Sequence, residues 1–114
     1  MKLKRGHLYT ADLNPRFGTE AGKLRPVLVL QTDLMNDLLH PSTLICLLTS
    51  QTRLDIELLR VHLHKGEGGL DVPSDIMMDQ LRAIDNRCFR KELGHLSSTR
   101  LSEVEEKIKI VLDL

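Results

Sequence analysis

Short apolar runs broken by turn-forming residues occupy most of the chain, and the C-terminal stretch alone changes to a helical period. From His7 to Leu13, Leu8, Thr10 and Asp12 alternate with Tyr9, Ala11 and Leu13, the period of a half-buried strand. Asn14-Pro15 ends it. After a loop containing Gly18 and Gly22, Pro26 to Thr32 is apolar at nearly every position, which predicts a strand covered on both faces. Pro26 cannot donate to a ladder, so it belongs at that strand's first residue or on an edge. Residues 33–39 suit a helical turn, and Ser42 to Ser50 reads as a third, buried strand. Between Ile56 and Gly66, Leu59, Val61 and Leu63 alternate with Arg60, His62 and His64. Gly66 to Pro73 is a turn-rich connection, and Ile76 to Asp85 offers a further strand whose end carries Asp79, Gln80 and Arg82.

From Ser98 onward the period lengthens. Leu101, Val104, Ile108, Val111 and Leu112 share one helical face, and Ser97 or Ser98 can cap its start. Glu103–Lys107 and Glu105–Lys109, four residues apart, support an exposed opposite face. Strands first and one long helix last predict an α+β fold: a strongly bent antiparallel sheet or small barrel with the helix packed against it.

Composition changes this picture in few places. With 114 residues and no repeats, linkers or low-complexity tracts, residues 1–114 are expected to form a single domain with one core. Cys46 in an apolar run and Cys88 beside Phe89 read as buried free thiols, which favours a reducing, cytoplasmic setting. No segment approaches the roughly 20 apolar residues of a membrane helix, and the N-terminus lacks the apolar core of a signal peptide. The 16 basic and 16 acidic residues cancel, but not evenly. Residues 1–30 hold Lys2, Lys4, Arg5, Arg16, Lys23 and Arg25 against Asp12 and Glu20, so a basic face can attract phosphate on a neutral protein. On the count alone, ordinary solvated charge remains the simpler explanation.

Taken singly, the candidate sites are weak. His62 and His64 share a strand face but lack the further ligands of a structural zinc, so both read as solvent-facing and no metal site is assigned. His40 and His95 read as loop residues. Thr49, Ser50 and Gln51 close the third strand where side chains become available to a cleft, and Asp79, Gln80 and Arg82 form a polar edge; either set is also what an exit to solvent looks like.

Together they carry more. Arg5-Gly6 through Leu30, with Asp12-x-x-Pro15, Gly18-Thr19-Glu20 and Arg25-Pro26-Val27, resembles the opening of the MazF/PemK toxin family. The likeness continues through Leu47-Leu48-Thr49-Ser50-Gln51, Asp79-Gln80-x-Arg82-x-Ile84-Asp85 and the terminal helix, and so covers essentially the whole chain. It implies the SH3-like plug fold of MazF, CcdB and Kid, a homodimer, and a toxin that cleaves single-stranded RNA sequence-specifically without metal or cofactor. A cognate antitoxin is implied as partner, its disordered acidic and apolar C-terminal segment competing with RNA for a basic groove.

The resemblance also assigns residues. Arg25 and Thr49 match the catalytic positions. Internal RNA cleavage by the neighbouring 2′-hydroxyl, giving a 2′,3′-cyclic phosphate and a 5′-hydroxyl, accumulates charge on phosphorus that a rigid planar fork of donors suits. Thr19, Glu20, Gln80 and Arg82 match positions lining the RNA groove or holding its loops. Asp79 matches a carboxylate that one branch uses as base, but Met77 and Thr19 stand where that branch has Arg and His, and His7 stands where an acidic residue is common. Phe17 is the aromatic placed to stack a base or to anchor its loop, which is Gly-rich and expected to gate the groove. Two other readings share the fold. One is a CcdB-like gyrase poison acting by protein binding, against which the chain has no Trp and ends in Lys109-Ile-Val-Leu-Asp-Leu114. The other is a family member that binds RNA or antitoxin without cutting.

Overall fold

The structure, a computed structural model, describes residues 1–13 and 24–114. Strands β1 (His7–Asp12), β2 (Leu24–Val29), β3 (Ser42–Thr49), β4 (Arg60–Leu63), β5 (Ser74–Asp85) and β6 (Phe89–His95) form one sheet in the order β4-β5-β3-β2-β1-β6. Every pairing is antiparallel. Helix α1 (Asp33–Asp37) links β2 to β3, 3-10 turns lie at Glu67–Gly69 and Asn86–Cys88, and α2 (Ser98–Leu112) ends the chain. The expected α+β class and bent sheet are observed, with β4 and β6 as open edges in place of barrel closure.

The bend has a local cause. Between the pairs Cys46↔Leu81 and Leu48↔Ile76, β3 advances two residues while β5 advances five, so residues 77–80 bulge away from β3, with Met77 still paired to Arg60 of β4, and turn β5 from one half of the sheet to the other. The bent sheet is apolar on both sides. Leu8, Leu28, Leu48, Val61 and Ile76 pack on one face with Leu70 and with Val104 of α2, whereas Tyr9, Ala11, Val27 and Ile45 pack on the other with Leu3 and Phe89. The single core expected is therefore two clusters flanking one sheet. β1 is not half-buried but sandwiched: Leu8 and Tyr9, which point oppositely, are both fully buried. Tyr9 keeps its hydroxyl satisfied by accepting from Lys4 N at 2.9 Å, and its ring meets Phe89 edge-on at 5.5 Å.

Other expectations need adjustment. β2 starts at Leu24, so Pro26 is neither its first residue nor on an edge strand. Its pairing with β3 covers only Val27 to Val29, however, and at Pro26 the strand has β1 as its one neighbour, so the missing N–H costs no ladder bond on the β3 side. Leu30, Gln31 and Thr32 leave the strand; Gln31 is buried, hydrogen-bonded to Asn36, and Thr32 caps α1. β3 is not wholly buried, since Leu44 is exposed. β4 is shorter than its alternation suggests, and His95 is the last residue of β6, opposite His7, rather than a loop residue. In α2, Ser97 is the N-cap, accepting from Arg100 N at 3.2 Å. Glu103 pairs with Lys107 at 3.6 Å, but Glu105 pairs with Arg5 at 2.9 Å instead of Lys109, and Leu112 is exposed.

Candidate active site

Two strands bring Arg25 and Thr49 to the same end of the sheet. Val27 of β2 opposes Leu47 of β3, and two residues farther in that direction stand Arg25 on β2 and Thr49 on β3. Both line one cleft of about 460 Å³. Pro26 and Leu48 also line it, Ser50 and Gln51 border it from the β3–β4 connection, and Gly69 and Leu70 border it from the 3-10 turn before β5.

Among the described residues lining this cleft the charged side chains are Arg25 and Asp71, and no ion pair joins them. Arg5, Arg53, Arg60, Arg87, Arg90 and Arg100 each pair with a carboxylate. Among the described residues no carboxylate pairs with Arg25, so its guanidinium can meet an anion without first breaking an ion pair. Thr49 Oγ1 accepts from Gln51 N at 3.1 Å, which orients the hydroxyl and leaves its proton to donate. Together they present a fixed fork of donors and a hydroxyl to a tetrahedral oxyanion.

Asp79, Gln80 and Arg82 lie on the exposed outside of the β5 bulge and just beyond it, and none of them lines the cleft. The structure thus separates them, within one chain, from Arg25 and Thr49. Phe17, Thr19 and Glu20, and with them the loop expected to gate the groove, lie outside the described residues. Cys46 and Cys88 are buried free thiols, and burial, with the Asp79 charge adding to it, pushes Cys46 up to about 12. Among the described residues no group of three His, Cys, Asp or Glu side chains is arranged to hold a metal.

Sequence reasoning missed Asp75, a fully buried carboxylate beside the site. It accepts from Arg53 N at 2.7 Å, Arg60 Nη1 at 3.0 Å and His62 Nδ1 at 2.6 Å. His62 is therefore half-buried instead of simply solvent-facing: it donates from Nδ1, and its Nε2 is buried with no partner among the described residues. The available signal was an Asp inside the apolar run Ser74 to Met78, set against the polar face of Arg60 and His62.

Burial alone would raise the Asp75 pKa, but the hydrogen bonds from His62, Arg53 and Arg60 outweigh it and hold it below its ordinary 3.8. Glu67 is lowered as well, chiefly by the hydrogen bond from Arg100 of α2. A carboxyl depressed on folding contributes stability above its unfolded pKa and loses it as pH falls through the folded value. Urea unfolding midpoints should therefore hold steady from pH 7 to about 5 and fall below the ordinary carboxylate range, with a shallower fall in Asp75→Asn. Equal acid slopes for both proteins would show that Asp75 carries no such linkage.

Comparison with known proteins bears on the chain as a whole. The family described as PemK-like, MazF-like toxin of type II toxin–antitoxin system matches residues 4–112. The chain is 33% identical to Endoribonuclease EndoA of Bacillus subtilis over 114 residues, covering 100% of this chain and 97% of that protein. It is 32% identical to Endoribonuclease MazF of Staphylococcus saprophyticus over 112 residues, covering 98% and 92%. A chain of the MazE–MazF crystal structure from Deinococcus radiodurans superposes with a TM-score of 0.81 at 26% identity, covering 100% of this chain and 98% of that one.

Proposed function

The chain belongs to the PemK-like, MazF-like toxin family of type II toxin–antitoxin systems, and on that premise we propose that it is an endoribonuclease cutting single-stranded RNA by its own 2′-hydroxyl. The observation that carries the reading is that one cleft holds Arg25, whose guanidinium pairs with no described carboxylate, and Thr49, whose hydroxyl accepts from Gln51 N and donates to no described residue. The 2′-oxygen forms a bond to phosphorus as the bond to the 5′-oxygen breaks. The attacking hydroxyl loses a proton, the departing oxygen gains one, and the products are a 2′,3′-cyclic phosphate and a 5′-hydroxyl. Arg25 donates its fork to the non-bridging oxygens, whose charge grows in the transition state, and Thr49 donates to one of them. Fixed cationic donors supply the stabilisation that a divalent ion supplies elsewhere, so the reaction proceeds without metal.

Asp79, Gln80 and Arg82, exposed beyond the cleft, are assigned contacts to flanking nucleotides, not proton transfer. Phe17, Thr19 and Glu20 keep the groove-lining roles that the family likeness implies. Membership in a toxin–antitoxin family supplies an antitoxin partner, and its acidic segment competes with RNA for the same guanidinium. A homodimer is part of this reading.

The test is a long RNA incubated with the protein in excess EDTA, with 5′ ends mapped. An oligoribonucleotide carrying the mapped site should be cut at full rate in EDTA, and a single 2′-deoxy substitution before the scissile phosphate should abolish the cut. Undiminished cutting of the deoxy substrate would exclude 2′-hydroxyl attack.

A further inference from the structure

The chain leaves the site through a connection without regular structure. Residues 50–59, between β3 and β4, contain neither strand nor α-helix, yet they begin immediately after Thr49 and supply Ser50 and Gln51 to the cleft wall. What holds their start is Asp75. It stands opposite Thr49 in the β3–β5 pairing and opposite His62 in the β4–β5 pairing. One carboxylate oxygen takes Arg53 N at 2.7 Å and Arg60 Nη1 at 3.0 Å, and Arg60 Nη1 also donates to Gln51 O at 3.1 Å. The other takes His62 Nδ1. Both ends of the Gln51–Arg53 segment are thereby tied to a single buried anion, and Gln51 N is the group that orients the Thr49 hydroxyl. The clamp is rigid because it is buried: Asp75 is fully inaccessible, and its side chain can move only by giving up charge-assisted hydrogen bonds.

We propose that Asp75, acting through Arg60 and the Arg53 amide, is a positioning residue that fixes the Thr49 hydroxyl and the Ser50–Gln51 wall relative to Arg25. This rests on the nuclease reading for its consequence, though the clamp itself is a statement about the backbone. A displacement of Thr49 by an ångström or so is expected to cost about 10- to 100-fold in turnover, because the hydroxyl acts only within hydrogen-bond reach of a phosphate oxygen.

The experiment combines kinetics on an oligoribonucleotide carrying the mapped cleavage site with amide hydrogen exchange of the free protein. Asp75→Asn should lower kcat about 10- to 100-fold with KM changed less than about threefold, and should have almost no further effect in a Thr49→Ala background. Exchange at residues 51–53 should accelerate in the same variant. If Asp75→Asn does not fold, Arg60→Met, which leaves the carboxylate two of its donors, carries the same two measurements. Unchanged exchange at 51–53 would overturn the clamp whatever the activity. Full activity, or a loss that adds to that of Thr49→Ala, would overturn its role in positioning. A wild-type protein no more active than Arg25→Ala would instead defeat the nuclease reading, leaving exchange to judge the clamp.

Discussion

Arg25→Ala will lower the rate of RNA cleavage by on the order of a thousandfold while leaving the thermal midpoint unchanged. Removing a preorganised donor from a developing oxyanion costs about 10² to 10³ in rate, and an arginine serving a phosphoryl group reaches higher still. The fold should not notice: Arg25 is only partly buried, pairs with no carboxylate among the described residues, and stands on a strand whose packing comes from Val27, Leu28 and Val29. Arg25→Lys is the sharper variant. Lysine keeps the charge but not the planar pair of donors, so it should recover less than about a tenth of the activity. Cleavage assays with 5′-end mapping decide both, and a lysine variant at full rate would mean that only charge is required.

Gly69→Ala is expected to be the most damaging small substitution, costing about 3 kcal/mol or more of stability. Gly69 has φ +79°, and a Cβ there would lie 2.0 Å from the carbonyl oxygen of Leu93 on β6. The obstacle is backbone, with no rotamer to relieve it. Gly94 faces the same contact from the other side, where an added Cβ would lie 2.7 Å from the Gly68 carbonyl carbon, so the 3-10 turn and β6 lie backbone against backbone. Forcing them apart moves Leu70 out of the core and shifts the wall of the cleft. Gly66→Ala is the control: its φ is +94°, but nothing lies within 4 Å of the added methyl, so it should cost only the about 1–2 kcal/mol of left-handed backbone strain. Equal unfolding free energies for the two variants, measured in urea, would refute the close apposition.

These cases show why parts of the molecule were legible in advance. Residues whose neighbours along the chain set their environment declared themselves: α2 by its helical spacing and a serine at its start, β3 by its apolar run. β6 gave no such sign, since Arg90, Lys91 and Glu92 interrupt any alternation with exposed charge, and it is a strand because β1 offers it an edge. Asp75 lay just outside the strand expected from Ile76 to Asp85. Its meaning depends on Arg60 and His62 arriving from β4 on the same face, which a linear pattern does not encode.

By itself the sequence determined the fold class, the family and the residue types able to stabilise a phosphoryl oxyanion, because periodicity and ordered motifs are local properties. Only the tertiary structure decided that Arg25 and Thr49 share a cleft, that Asp79, Gln80 and Arg82 stand apart from it, and that a buried carboxylate holds the chain leaving Thr49. The reason is register: which residues face one another across a sheet follows from where each ladder begins and where β5 bulges, and a shift of one position would send every side chain to the opposite face.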